Sequence, residues 1–391
     1  MGWLLGCVFL FYYQQGDTLT YFADAHKLAQ LAYQRPVDYL RVLTGQLSAP
    51  VHLTFQKQPR AFFFTKLVSL INIFTYSNYW LTAAYFSLLS FVCSWKLANY
   101  LSSSFPQHSS AAAIAFLFYP SVIFWGSGVL KESVAVASIM LIVYTVLWLL
   151  NNRYFTKEFL TKVVLLAASV WLLWEVKYYY AGVLLPTVLS ASVALTISRR
   201  IEGWYPLVTF AISWIGLIGL ASLLHPILAI NRLHLVLLYN HDTIVAMSDS
   251  STIIHFWNLD ERPESFIINV PLAIFSGLFR PLAGEGTTFL QWMAGLENTG
   301  LLLTGIAACA NSWRARMSGT DWLWVTATIT YVVVLGTILA FASPNFGSLV
   351  RYRVAFLPFL VFLCLAGNRR LVRWLEDRCR SAIGLLFSKA H

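Results

Sequence analysis

Long apolar runs recur along the whole chain and constrain its fold more than any other feature. They lie at about 79–98, 110–125, 133–150, 162–175, 181–197, 205–224, 290–310, 321–342 and 352–367. A helix rises about 1.5 Å per residue, so about 20 apolar residues cross the roughly 30 Å hydrocarbon core of a bilayer. Because a lipid-exposed backbone must satisfy its own hydrogen bonds, runs of this length indicate helices. The sequence therefore predicts an all-α, polytopic transmembrane bundle.

Composition excludes the main alternative classes of protein. Hydrophobic residues make up 58% of the chain and charged residues only 11%, whereas soluble domains carry about 25% charged residues. Too few charges are present to cover a water-facing surface, which excludes a soluble enzyme and a disordered chain. The net charge of +10 is spread over short clusters between apolar runs. This placement is typical of cytoplasmic loops and argues against nucleic acid as a partner, so the predicted environment is the lipid bilayer.

The basic clusters also predict an orientation. Those expected in the cytoplasm are Arg153/Lys157/Lys162, Arg199/Arg200, Arg314/Arg316 and the tail residues Arg369, Arg370, Arg373, Arg378 and Arg380. They share one side only if two interrupted apolar stretches, 61–75 and 267–279, are re-entrant or interfacial helices. With a short first segment at 1–13, we expect about ten crossings and both termini in the cytoplasm.

Most of the 17 acidic residues then fall on the outer side, largely in two long loops at about 14–60 and 225–289. The inner loops are short and basic. Since function is concentrated in loops held by a rigid scaffold, we expect the chemistry on the outer side. Residues 1–391 are predicted to form one membrane domain, with these two loops as a cap over an active site.

Two carboxylates stand at the ends of apolar runs on this outer side. Asp17 follows the first segment, where it could accept a proton from an acceptor hydroxyl or ligate a divalent cation; the alternative is an ordinary helix cap. Glu132 opens the run 133–150, where it could stabilise the helix dipole or return to the outer surface beside Asp17 as part of a base or metal site. Asp24 is expected on a solvated helix face.

An aromatic segment, Glu175–Tyr180, is expected to form another outer turn. The favoured interpretation is an interfacial aromatic belt in which Lys177 snorkels to the membrane surface. The alternative is that Tyr178 and Tyr179 stack on the apolar face of a sugar ring.

Two arginines at the outer mouth of the last apolar run, Arg351 and Arg353, require a specific partner because cations are costly at that depth. The planar guanidinium suits phosphate, which favours a lipid headgroup or a lipid-linked phosphate. The alternative is an ion pair with an outer carboxylate. Arg280, at the end of the 267–279 stretch, is expected at the same interface.

In their order along the chain, these features resemble the GT-C membrane glycosyltransferases, notably protein O-mannosyltransferases and lipid A aminoarabinose transferases. The matching positions are Asp17, the Pro-bearing motif Lys57-Gln58-Pro59-Arg60, Glu132 and the late pair Arg351-Tyr352. Such enzymes take a sugar from a polyprenyl-phosphate carrier at the outer face of the membrane and invert its anomeric centre. The family commonly has two adjacent acidic residues in its first loop, whereas Thr18 follows Asp17 here.

The resemblance implies a role for each candidate residue. Asp17 and Glu132 would be catalytic, with or without a divalent metal ion between them. The implied donor-phosphate ligands are Arg351, Arg353, Lys57 and Arg60. The implied substrate contacts are Tyr21, Lys131, Tyr178, Tyr179, Arg280 and Tyr352. The implied partners are a polyprenyl-phosphate sugar and a glycan, lipid or protein acceptor, and the implied location is the bacterial cytoplasmic (inner) membrane.

Three alternatives stay open at this point. A polysaccharide (O-antigen-like) polymerase would use the same carrier but would yield a ladder of products. A lipid-linked glycan transporter would need polar residues along its spans, where charges are few: Lys66, Lys96 and Glu297. A structural assembly subunit would be indifferent to changes at the outer carboxylates.

Overall fold

The computed structural model is helical in the parts of the chain that it describes, which are residues 1–152, 156–198, 204–226, 229–312 and 319–377. These parts contain no strand, only an isolated antiparallel bridge between Ile253 and Asn345. The prediction of an all-α fold is thus confirmed. Several basic residues assigned to cytoplasmic loops lie outside the described ranges: Arg153, Arg199, Arg200, Arg314, Arg316, Arg378 and Arg380.

The α-helices follow one another along the chain with short connections. They are α1 (Gly2–Cys7, continued by a π-helical turn Val8–Tyr13), α2 (Asp17–Gln34), α3 (Pro36–Leu43), α4 (Pro59–Phe74), α5 (Tyr79–Ser104), α6 (Ser109–Ala113, continued by a π-helical turn Ile114–Phe118), α7 (Pro120–Trp125), α8 (Lys131–Asn151), α9 (Lys157–Ser198), α10 (Tyr205–Leu224), α11 (Ile230–Ala246), α12 (Pro263–Phe279), α13 (Phe289–Ser312), α14 (Gly319–Ala342), α15 (Phe346–Tyr352) and α16 (Leu357–Ala366). A further helical segment occupies 369–377.

Within the described ranges, six helices are long and apolar enough to cross a membrane, namely α5, α8, α9, α10, α13 and α14. The bent pair Phe346–Ala355 and Leu357–Ala366, with 71° between its halves, would make a seventh span. Several long apolar helices fit a protein of the lipid bilayer. The expected number of about ten crossings is not confirmed.

The apolar run at 110–125 does not form one helix. Tyr119 is extended, with φ −68° and ψ 123°, between the π-helical turn that follows α6 and helix α7. The residue before a proline is disfavoured in the helical conformation, and Pro120 has this effect on Tyr119. The run is therefore divided into pieces too short to cross a bilayer.

The runs at 162–175 and 181–197 form two helical segments that meet at a kink. Together they form α9, which has 42 residues and non-helical torsions at Lys177 alone, with φ −149° and ψ 74°. The kink at Lys177 lies inside the segment Glu175–Tyr180, and whether this segment is a turn on the outer side of the membrane stays a prediction. The break leaves two segments of about 20 residues each, the length that one crossing needs.

Both stretches expected to be re-entrant or interfacial form short helices. Helix α4 has 16 residues and α12 has 17, and neither counts as a span by length and composition. Pro271 lies inside α12 without ending it. Their placement relative to the bilayer stays a prediction.

Contacts divide the described residues into two compact units. The first contains Met1–Leu97 and Pro120–Ala181, and the second contains Ala98–Tyr119 and the described residues from Gly182 onward. In the first unit, α2 packs most extensively on α4; in the second, α12 packs most extensively on α14. That residues 1–391 act as one membrane domain stays a prediction.

The contact between α12 and α14 depends on two glycines. A Cβ atom added at Gly277 would lie 2.2 Å from the carbonyl oxygen of Gly336. This distance is far below van der Waals contact, so the two backbones approach each other closely only because a side chain is absent. Gly216 in α10 is the opposite case, because an added Cβ meets nothing within 4 Å.

We expect Gly277→Ala to lower the free energy of unfolding by about 1–3 kcal/mol, the usual cost of overpacking. Gly216→Ala is the matched control, and helix propensity should leave its stability unchanged or raise it by up to about 1 kcal/mol. Thermal unfolding of both variants in detergent provides the measurement. Equal midpoints for the two variants would contradict the close contact of α12 with α14.

Candidate functional site

The first unit gathers charged and aromatic side chains from four helices into a connected group, called here the polar cluster. Its members are Tyr21 of α2, Arg60 of α4, Lys131 and Glu132 of α8, and Lys177, Tyr178 and Tyr179 of α9. Six of the seven were candidates on sequence grounds, and the seventh, Lys177, was expected to snorkel. The fold thus brings together residues that lie far apart in the sequence.

An ion pair between Glu132 and Lys177 lies at the centre of the polar cluster. The Lys177 Nζ lies 3.1 Å from Glu132 Oε1, and the two side chains are 5% and 1% exposed. The same Nζ donates a hydrogen bond to the Tyr179 hydroxyl at 3.0 Å. Because each charge would be costly to bury alone, the pair explains why both residues are tolerated inside an apolar bundle.

This pair corrects the expectation for Lys177. Lys177 does not snorkel to a surface, since it is buried against a carboxylate. Glu132 lies in the first turn of α8, as the helix-dipole interpretation expects, and is 1% exposed; its place at the outer face of the membrane stays a prediction. In both cases, the partner that removes the cost of burial is the other residue of the pair.

Arg60 connects α4 to the broken part of α9. Its Nη1 donates to the carbonyl oxygen of Trp174 at 2.8 Å, and its guanidinium lies 4.0 Å from the centre of the Tyr178 ring. Burial lowers the pKa of Arg60, while Tyr178 and Glu175 act in the opposite direction. The Nε and Nη2 groups form no hydrogen bond with any described residue. They lie on one edge of the guanidinium, the planar fork that binds phosphate in a bidentate manner.

Tyr21 and Lys131 form another contact of the polar cluster. The Lys131 Nζ lies 5.6 Å from the centre of the Tyr21 ring. Tyr21 is 2% exposed and stacks on Phe55 at 4.5 Å. The Lys131 ammonium therefore lies within cation–π range of a buried ring.

Asp17 precedes Tyr21 by one helical turn, so both residues lie on the same side of α2. It is the first residue of that helix, and the cap position belongs to Gly16, which corrects the interpretation of Asp17 as the cap. Its carboxylate is half-buried. A negative charge in the first turn of a helix is favoured by the helix dipole.

Asp24 was expected on a solvated face, and this expectation is wrong. It is 1% exposed and accepts hydrogen bonds from the Phe55 amide at 3.3 Å and the Thr54 hydroxyl at 3.4 Å. The Lys27 Nζ lies 3.6 Å away. Asp24 therefore fixes the segment before α4 against α2. Lys57, in the same segment, is exposed.

In the second unit, Arg353 is enclosed by the chain itself. It is 1% exposed, and its Nη1 donates to the carbonyl oxygen of Leu278 at 3.1 Å and to Asn298 Oδ1 at 2.9 Å. Its Nη2 donates to the carbonyl oxygen of Arg280. These bonds join the end of α12 to α13. They use both terminal nitrogens that were expected to bind a phosphate.

The other second-unit candidates lie nearer the surface. The Arg280 Nε donates to Glu285 Oε1 at 2.9 Å, and its guanidinium lies 5.1 Å from the centre of the Phe346 ring. The Arg351 Nη2 donates to the Tyr352 hydroxyl at 3.0 Å. Asp17 and Arg351 belong to different units, so their meeting in a single pocket stays a prediction.

A metal ion between Asp17 and Glu132 also stays a prediction. Among the described side chains, no group of three or more His, Cys, Asp or Glu residues is arranged to hold a metal. Glu132 already has an ammonium group 3.1 Å away, and that cation would repel a second one. The donor set around Glu132 therefore does not fit a divalent ion.

Three residues have structural roles that the sequence did not predict: Lys177, Asp24 and Asn298. A signal existed for Lys177, because a lysine between two apolar runs needs a partner and Glu132 is one of few acids near a span. No pattern predicts the burial of Asp24, which depends on Thr54 and Phe55, or the contact of Asn298 with Arg353.

Comparisons with protein-family models, with curated proteins and with solved structures found no match for this chain. The resemblance to GT-C glycosyltransferases therefore rests on the short motifs of its sequence.

We expect Glu132→Gln to lower the free energy of unfolding by about 3–5 kcal/mol, because it leaves the Lys177 ammonium buried without a counter-charge. Adding Lys177→Met should restore most of the lost free energy of unfolding, since it removes the buried ammonium group. Denaturant titration in detergent micelles measures both variants.

The control for this prediction is Asp38→Asn, which removes a partly exposed carboxylate 3.8 Å from Arg41. A solvated pair of this kind is worth less than about 1 kcal/mol. If Glu132→Gln lowered the free energy of unfolding no more than Asp38→Asn does, Glu132 and Lys177 would not form a buried pair.

Proposed function

We propose that this protein is a membrane glycosyltransferase of the GT-C type. It would transfer a sugar from a polyprenyl-phosphate-linked donor to an acceptor at the outer face of the cytoplasmic membrane. The observation that carries the proposal is the polar cluster, in which cations, a carboxylate and tyrosines from four helices come together inside an apolar bundle. Such a concentration of costly groups in a membrane protein is typical of a functional site.

Arg60 would bind the phosphate of the donor. Its position is fixed by the Trp174 carbonyl and the Tyr178 ring, and its Nε–Nη2 edge is left for a ligand. A guanidinium held in advance stabilises the charge that develops on the leaving phosphate without having to reorganise. Lys131, held over Tyr21, would add a second cation to the same cluster.

Asp17 would act as the general base. The acceptor hydroxyl loses its proton to the Asp17 carboxylate while its oxygen bonds to the anomeric carbon of the sugar. The bond between that carbon and the phosphate oxygen breaks, and polyprenyl phosphate leaves with the electron pair. Attack from the face opposite the leaving group inverts the anomeric centre.

The ion pair would have a positioning role in this scheme. Glu132 holds Lys177, and Lys177 holds the hydroxyl of Tyr179. Tyr178 and Tyr179, whose ring centres lie 5.5 Å apart in an edge-to-face contact, would then offer a fixed aromatic wall to the sugar. Within the second unit, Arg353 fixes the main chain at Arg280.

We expect Asp17→Asn to reduce sugar transfer by about 10²-fold or more, because the amide cannot accept the proton and general-base catalysis supplies a factor of that size. The assay uses the full chain in vesicles with a panel of radiolabelled polyprenyl-phosphate-linked sugars. Asp38→Asn, in the same part of the chain, is the control and should keep full activity.

Undiminished transfer by Asp17→Asn would remove this residue from the mechanism. The products also separate the alternatives: a transferase yields a single addition, whereas a polymerase yields a ladder. Transport of the donor across the vesicle without a new glycosidic bond would instead favour a transporter.

A further inference from the structure

A second polar site lies in the second unit, and none of its lining residues belongs to the proposed mechanism. It is a cavity of about 270 Å³ between the turn before α6 and the helical segment 369–377. The polar side chains that line it are Gln107, His108, Ser109, Arg369, Arg373 and Glu376.

The cavity lies beside the ends of apolar helices. Helix α16 ends at Ala366, shortly before Arg369, and α5, a candidate span, ends at Ser104, shortly before His108. Polar residues that directly follow membrane helices lie at the level of the lipid headgroups. Trp374, which is 54% exposed on the segment 369–377, is the residue type enriched at that boundary.

The cavity contains two arginines and one carboxylate. Arg369 and Arg373 are four residues apart on one helical segment, so they line the cavity from the same helix face. Within the described part of the chain, neither forms an ion pair. The carboxylate in the cavity, Glu376, accepts a hydrogen bond from the Ser110 hydroxyl. The two arginines and Glu376 together give the cavity a net charge of +1, which favours an anion.

We propose that this cavity binds the phosphate headgroup of an anionic phospholipid. The basic residues, the adjoining helix ends and the exposed tryptophan together favour a membrane lipid. Basic pockets beside membrane helices hold such headgroups, and each cation at the surface contributes about a fivefold factor in affinity. The acyl chains would stay in the bilayer, since the cavity has room for a headgroup alone.

The test is a titration of the full chain in detergent with dioctanoyl phosphatidylglycerol, followed by microscale thermophoresis. We expect saturable binding that weakens about 25-fold in the double variant Arg369→Gln/Arg373→Gln. Dioctanoyl phosphatidylcholine, which is zwitterionic, should bind far more weakly. Inorganic phosphate distinguishes the source of the anion: if it bound as tightly as the lipid, the lipid headgroup would not be the ligand.

Two controls separate the cavity from general surface charge. Arg370→Gln/Lys157→Gln removes the same amount of charge from exposed residues outside the cavity and should leave binding within about twofold. Ser109→Trp fills the cavity without changing its charge and should abolish saturable binding. The thermal midpoint of each variant without lipid verifies its fold. Equal losses in both charge variants, or full binding by Ser109→Trp, would overturn the proposal.

Discussion

The cost of placing a charge in an apolar interior is the constraint on which this structure depends. In the first unit, the cost is met by pairing Glu132 with Lys177 at 3.1 Å. The backbone of α9 is broken at Lys177 itself, where the ammonium meets both the carboxylate and the Tyr179 hydroxyl. Next to this break, Trp174 and Tyr178 receive the Arg60 guanidinium. The residues on either side of this break in α9 thus provide several contacts of the polar cluster.

In the second unit, a buried charge is stabilised mainly by main-chain carbonyl groups. The Arg353 guanidinium is surrounded by the carbonyls of Leu278 and Arg280 and by the Asn298 amide. The two solutions have different chemical consequences. Both terminal nitrogens of Arg353 donate hydrogen bonds to the chain itself, whereas the Nε and Nη2 groups of Arg60 form no hydrogen bond with any described residue. This difference moves the main phosphate-binding role in the proposed mechanism to Arg60.

Much of the fold could be predicted from the sequence because apolar length alone decides where a membrane helix forms. The runs that became α5, α8, α10, α13 and α14 lie within a few residues of the helices. The break at Tyr119 could also be predicted, since a proline disfavours the helical conformation in the residue before it. The sequence could not predict that only Lys177 would interrupt the helix between the two runs of α9, because the Tyr-rich segment there has the composition of an interfacial turn.

The site was harder to predict than the fold. Sequence reasoning selected Glu132, Arg60 and the tyrosines by residue type and position, but it could not pair them, because the partners lie on helices far apart in the chain. Lys177 has the stem and charge of a snorkelling lysine, and only its burial beside Glu132 reveals the ion pair. Asp24 has the spacing of a surface residue, and its amide partner at Phe55 leaves no trace in the sequence.

The most direct test of the account is whether the polar cluster binds a lipid-linked phosphate. Binding of polyprenyl phosphate without a sugar can be measured by native mass spectrometry for the wild-type chain and for Arg60→Gln, with Arg41→Gln, an exposed arginine, as the control. Loss of a charge-assisted bidentate contact predicts that Arg60→Gln binds about tenfold or more weakly, with the control unchanged. Equal binding by all three proteins would contradict the account.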